Sequence, residues 1–294
     1  MIPSPHKYTI GIVAVLCVTV CCTSARGNSP DDSSHHPTTG SVVLASLIPT
    51  TAFSATLVLN YVAFWKYAGT SPEHWSNDPP YAMHVDKLAH AYFSWFGSDM
   101  IQRGYIGAGL DTMEAAWLGA GLTLFVGTAV ETEDGLHGYD PQYGFSPGDW
   151  AGDLIGSSVP LLKRYFPSLN RFTMKISIWP SDAYNAGAYH TIADDYESQY
   201  FWLSADVHDL IGFMPPWLNV TAGYSAENLP PAAYLSFRQG KTPASDVYLS
   251  LDLNLKGIPI QGALWSTITD VFQYIRIPFP SIQVYPRTKF WALR

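Results

Sequence analysis

Apolar and polar positions recur with a helical period in the first half of this chain and alternate strictly in much of the second. The stretch Ser41 to Trp65 carries no charged side chain, and its length matches an apolar helix able to cross ~30 Å of hydrocarbon or to lie buried in a core. A second helix is expected over Val85–Gln102. A third runs over Thr112–Glu131 behind an Asp111-x-x-Glu114 capping pattern. On that third helix Ala115, Gly119, Thr123, Gly127 and Glu131 share one i, i+4 ridge, and small residues on such a ridge let a neighbouring helix approach closely. A fourth helix starts at Ser146, with Pro147 at its first position and Asp149 at N3; Pro160 predicts its end near Ser158.

After Arg171 the period becomes two. Phe172, Met174, Ile176 and Ile178 alternate with Thr173, Lys175 and Ser177, and Phe201 to Val207 and Val247 to Leu255 alternate in the same way. This pattern predicts half-buried antiparallel strands. Weaker strands are expected at Leu218–Tyr224, Ala233–Arg238 and Ile282–Leu293, with a short helix over Ala263–Ile275. About six strands fall short of the eight usual for a closed membrane barrel, so an open sheet is expected. The fold class that follows is α+β: a membrane-associated helical bundle, residues 41–168, followed by an antiparallel β-sheet region, residues 169–294.

The N-terminal segment changes the picture of where such a fold works. His6 and Lys7 precede an apolar run from Ile10 to Val20, and Thr23-Ser24-Ala25 offers a small-residue cleavage site, which together read as a signal peptide over residues 1–25. Lipidation at Cys21 or Cys22 and retention as an anchor are the other readings. All three cysteines, Cys17, Cys21 and Cys22, lie in this segment, so a chain cut after Ala25 has neither a disulfide nor a thiolate site. Residues 26–40 are polar and turn-rich, a flexible linker in which His35-His36 reads as solvated.

The chain is 47% hydrophobic and only 14% charged, against about 25% charged in ordinary soluble proteins. Membrane lipid or an envelope protein is the partner this composition suits. The net charge of −8 argues against nucleic acid, which recruits basic surfaces.

Ionisable groups on apolar helices are costly unless they converge on partners. Asp86 and His90 are one turn apart on the second helix, Glu131 and Asp134 close the third, and Asp149 and Asp153 lie one turn apart on the fourth. The inventory suits a divalent metal held by His90, Glu131, Asp149 and Asp153. It equally suits a catalytic His90 with Asp86, Glu131 and Asp153 as orienting groups. The structural alternative makes Asp149 a capping residue, His90 an interior histidine and Lys87–Glu131 an ion pair that fixes helix register. Glu131 near a helix C-terminus opposes the macrodipole and calls for a compensating partner. No His-Glu-x-x-His motif, Gly-x-Ser-x-Gly elbow or phosphate loop is present.

Asp86-Lys87-x-x-His90, Glu131 before an acidic turn, and Ser146-x-x-Asp149 with Asp153 and Gly156 together resemble the YfiM-like family of predicted periplasmic lipoproteins, a domain of unknown function. More distantly, the chain is similar to the VanZ-like membrane proteins linked to glycopeptide-antibiotic resistance, which share Asp-Lys-x-x-His and a later acidic helix. The short members correspond to Val85–Val159, and longer envelope members extend the resemblance over residues 50–293. The resemblance implies a bacterial envelope address on the periplasmic side, with the outer membrane as one option, and brings no established reaction. Two functions stay open: an envelope component that binds lipid or a partner, and a metal- or His-dependent hydrolase or transferase acting on a lipid-linked substrate.

Overall fold

The computed structural model describes residues 38–61, 70, 73, 75–76, 81–137, 144–189, 192, 194–208, 210–229 and 240–292. The signal segment, its cysteines, His35-His36 and the expected strand Ala233–Arg238 lie outside the described residues. Helices come first: α1 (Thr39–Asn60), α2 (Val85–Gly107), α3 (Thr112–Gly135) and α4 (Pro147–Tyr165). Then follow β1 (Phe172–Ile178), the single turn α5 (Asp182–Asn185), β2 (Gln199–Ala205), β3 (Leu218–Glu227), β4 (Ala244–Leu253), α6 (Ala263–Phe272), β5 (Ser281–Tyr285) and β6 (Lys289–Trp291). The fold is α+β. It divides into two compact units, Met1–Pro79 with Phe93–Pro167, and Pro80–Tyr92 with Ser168–Arg294. The division falls inside α2, which is unbroken helix across it.

Each of three helices starts where a side chain can satisfy its first amides. Thr38 accepts from the Ser41 amide, Asp111 from those of Met113 and Glu114, and Ser146 from that of Asp149. Thr39 and Gly40, expected in the linker, therefore belong to α1. The Asp111 carboxyl sits below the usual carboxylate range because those backbone amides favour its charged form. Pro160 does not end α4, which continues to Tyr165. Pro160 and Leu161 are both buried, and that burial offsets the single backbone bond the imide cannot make. Among the described helices, α1 and α3 are long and apolar enough to cross a membrane.

In α3 the buried positions are Ala115, Ala116, Gly119, Thr123, Gly127, Glu131 and Gly135, so the ridge read from the sequence faces inward. A Cβ at Gly119 would lie 2.6 Å from the Ser98 carbonyl oxygen of α2, and one at Gly127 would collide with the Asp153 carboxylate of α4. Trp117, Leu118, Leu122 and Phe125 point outward instead. Ser41 Oγ donates to the Ala108 carbonyl at 3.0 Å, and Asn60 donates to Glu133 and Asp134 at 3.0 and 2.9 Å. These contacts tie α1 to the loop after α2 at one end and to the last turn of α3 at the other.

The six strands form one antiparallel sheet in chain order, β1-β2-β3-β4-β5-β6. The expected strand Ile282–Leu293 is two strands, because the chain turns through Pro286 and Arg287 before β6. Successive registers place Met174, Leu203, Ala222, Leu249, Ile282 and Phe290 in one row across the whole sheet. The adjacent row, on the other face, is Lys175, Trp202, Gly223, Tyr248, Gln283 and Lys289. Gly223 is required by its neighbour, since a Cβ there would run into the Trp202 ring.

Burial falls on the polar face. Trp202, Ser204, Thr221, Tyr248, Asp252 and Ser281 are each at most 1% exposed, whereas Leu203 and Leu249 are 50% exposed and Phe290 67%. Arg276 shows how the polar face curls. Its amide donates to the Ile176 carbonyl of β1, its guanidinium lies 3.7 Å over the Trp202 ring of β2, and Nη2 donates to Ser250 Oγ of β4 at 2.6 Å and to Ser281 Oγ of β5 at 3.3 Å. One residue reaches four strands only if they wrap around it. Residues 81–92 pack with this sheet: Tyr92 donates to the Tyr274 carbonyl at 2.8 Å and its ring lies tilted against that of Phe201, and Tyr224 donates to the Met83 carbonyl. Burial raises the Tyr92 phenol well above its ordinary pKa, so it remains a donor.

Candidate functional site

The candidate site is built by α2, α3 and α4. His90, Glu131 and Asp153 each present one ligand-type atom, and these atoms lie within 4.8 Å of one another. Glu131 is 1% and Asp153 2% exposed, while His90 is half-buried. A single cation with bonds of roughly 2.1 to 2.5 Å spans donors up to about 4.2 to 5.0 Å apart. The group is therefore compact enough for one ion, and an imidazole with two carboxylates is a donor set suited to zinc or manganese.

Each carboxylate is held by a second contact. Ser94, one turn after His90 on α2, donates from Oγ to Asp153 Oδ1 at 2.7 Å. The Ser146 amide donates to Glu131 Oε2 at 2.9 Å. Ser146 is the N-cap of α4, so Glu131 meets the positive end of that helix, which counters the unfavourable C-terminal end of its own. Gly127, one turn before Glu131, leaves the space that Asp153 fills. Such contacts fix carboxylate orientation in the way metal and catalytic sites require.

The four-ligand set expected from sequence is reduced to three. Asp149 is not in the converging group; its amide is used by the Ser146 cap at 3.1 Å, and it sits one turn nearer the start of α4 than Asp153. Asp86, also expected at the site, is buried one turn before His90 and lies outside the group as well. Lys87 Nζ lies 3.5 Å from Asp86 Oδ2 on the same helix. Asp134 faces Asn60 of α1. Two contributors, Ser94 and the Ser146 amide, were not singled out as site residues from sequence. The i, i+4 spacing of His90 and Ser94 carried a signal for the first, whereas a backbone amide carries none.

All of α2, α3 and α4 falls within one recognisable segment. Residues 72–165 match the model of a family described as predicted periplasmic lipoprotein (DUF2279). The match takes in His90, Glu131, Asp153, Ser94 and Ser146, and it is compatible with the YfiM-like resemblance. It supports an envelope address on the periplasmic side and stops before β1. No curated protein and no solved structure matches the chain.

Proposed function

We propose that this chain is a membrane-associated protein of the bacterial cell envelope whose His90–Glu131–Asp153 centre binds a divalent cation. The observation that carries this reading is the convergence of three ligand-type atoms within 4.8 Å from three separate helices. Buried carboxylates are expensive unless compensated, and a divalent ion compensates two at once. The test is zinc titration of the full chain, freed of metal with a chelator, followed by calorimetry and thermal unfolding. One zinc bound per chain with a raised Tm is expected, and both effects should vanish in His90→Ala and Glu131→Gln. An identical zinc response in wild type and both variants overturns the assignment.

A second reading is a hydrolase or transferase acting on a lipid-linked envelope substrate, with His90 as general base and Glu131 and Asp153 as orienting groups. It is favoured by the exposure difference: the imidazole is half-buried while both carboxylates are sealed, as a base that must meet an incoming substrate requires. Release of headgroup from a lipid-linked substrate, lost in His90→Ala with the fold retained, supports it. Equal release by the variant rules it out.

A further inference from the structure

We infer that the apolar face of the six-stranded sheet is a lipid-contact surface, seated against the acyl chains of a bilayer, with its polar face turned inward as a packed interior. This goes beyond the cation site and rests on different residues.

Charge is segregated between the two faces of the described strands. The outward row through Leu203, Leu249, Ile282 and Phe290 is flanked on the same face by Val220 and Leu251, and among the described strands no residue in an outward register carries a charge. Glu227 and Lys289, exposed at the ends of their strands, share the inward registers on which Lys175, Asp246 and Asp252 are buried. There Lys175 pairs with Asp252 at 2.7 Å and Asp246 accepts from Gln283 at 2.7 Å. Met83 and Tyr92 cover the apolar face around Tyr224 and Phe201, which leaves Leu203, Leu249 and Phe290 as its open part. A water-facing sheet puts its charges outside and its leucines inside. The reverse arrangement matches the charge-free medium of hydrocarbon, where strands alternate apolar outward and polar inward.

The borders of the apolar face agree with this occupant. Exposed aromatic residues border the apolar rows at both ends: Trp179 just beyond Ile178, and Trp217 with Phe213 before Leu218. Trp and Tyr gather at the two membrane–water interfaces in this way. The helical unit independently shows the same inversion, with Gly119, Gly127, Glu131 and Asp153 inside and Trp117, Phe125 and Ile155 outside. Small residues inside and large apolar ones outside are the packing pattern of helices in lipid.

The test introduces single cysteines in place of Leu203, Leu249 and Ile282, and as controls in place of Ser204 and Thr221, in a full chain whose Cys17, Cys21 and Cys22 are replaced by serine. Each is labelled with an environment-sensitive fluorophore and reconstituted into phosphatidylcholine vesicles with or without doxyl-labelled phosphatidylcholine. Labels at the three apolar positions should shift to the blue on reconstitution and lose emission with doxyl lipid, while the labels at the two control positions should not respond to doxyl lipid. If a control label prevents folding, the three outward positions still decide the matter among themselves. Emission at those positions that iodide quenches from the aqueous phase, with no doxyl effect, overturns the inference. So does shielding without doxyl quenching when the unlabelled Leu249→Cys variant also forms disulfide-linked dimers, which would assign the face to a second copy of the chain. None of the labelled positions belongs to the His90, Glu131 and Asp153 group, so the outcome is independent of cation binding.

Discussion

Lys175 on β1 and Asp252 on β4 make an ion pair, Nζ to Oδ2 at 2.7 Å, although β2 and β3 lie between their strands. Three inter-strand steps in a flat sheet separate backbones by ~14 Å, beyond the reach of a lysine side chain. The pair therefore requires the sheet to coil with its polar face on the inside. Lys175 also donates to the Leu253 carbonyl at 2.9 Å, and Asp252 accepts from Ser204 at 2.8 Å, so both charges are knitted into the strands they join.

Removing one partner of this pair should be far worse than removing both. Lys175→Met leaves the Asp252 carboxylate buried with less compensation, at a cost of about 3–5 kcal/mol, whereas the double variant with Asp252→Leu should recover much of the loss. Arg276 also faces the Asp252 charge, which places the single variant toward the lower end of that range. Unfolding curves of the two singles and the double check this, and additive losses would show that the pair does not hold the sheet.

The helical ridge makes a prediction with its own control. Gly119 and Gly121 lie two residues apart on α3, but a Cβ at Gly119 would meet the Ser98 carbonyl oxygen, while nothing lies within 4 Å of one at Gly121. Gly119→Leu should cost about 1–3 kcal/mol by overpacking. Gly121→Ala should stabilise by about 0.5–1 kcal/mol, as in any open helix interior. Thermal unfolding of both variants gives the comparison, and equal shifts would mean that α2 does not lie against this ridge.

Much of this architecture is legible in residue spacing. The i, i+4 row from Ala115 to Glu131 faces inward as its small side chains require, and the Ser146-Pro147-x-Asp149 start of α4 caps as its chemistry predicts. His90, Glu131 and Asp153 could be named because each is ionisable on an apolar helix. Which side of the sheet is inside could not be read in the same way. Alternation separates two faces, but it has the same period whether Leu249 or Tyr248 is buried, and only the three-dimensional register of Lys175, Trp202, Gln283 and Arg276 decides it. Pro160 misled for a related reason: the rule that proline stops a helix is local, and the burial that overrides it is not. Asp149 has the same side-chain type as Asp153, and residue spacing alone does not tell that the converging group takes in Asp153, one turn further along α4.

A pH effect follows from Asp195, which lies before β2. Burial is the main cause that raises its carboxyl above the ordinary aspartate value, against the opposing effect of the Ser181 amide, which donates to Oδ2 at 3.0 Å. An acid whose pKa is raised on folding disfavours the folded state once ionised, so stability falls as pH rises from the unfolded value through the folded one. Asp195→Asn keeps an acceptor for Ser181 and removes that penalty. The variant should be at least as stable as wild type at neutral pH, and its advantage should disappear below about pH 4, where both forms are neutral. Tm against pH for the two proteins measures this; a variant less stable at pH 7 than at pH 4, relative to wild type, would reverse the sign.

The behaviour of His90, Glu131 and Asp153 separates a working centre from a scaffold. Functional polar groups in an apolar bundle are held at a cost to folding, so in a metal-free protein His90→Ala should leave stability nearly intact or improve it. In a scaffold the same change leaves Glu131 and Asp153 less compensated and destabilises by several kcal/mol. Asp153→Ala also releases Ser94, which donates to Oδ1 at 2.7 Å, and Glu131→Ala releases the Ser146 amide at 2.9 Å. These two should therefore each lose about 1–3 kcal/mol in either case, which makes His90 the discriminating position. Melting curves of the three alanine variants, each with zinc and with chelator, supply the readout. A zinc-dependent rise in wild type that is absent from all three, with His90→Ala matching wild type in chelator, marks a cation centre. Large losses in all three variants with no response to either addition leave only a structural network.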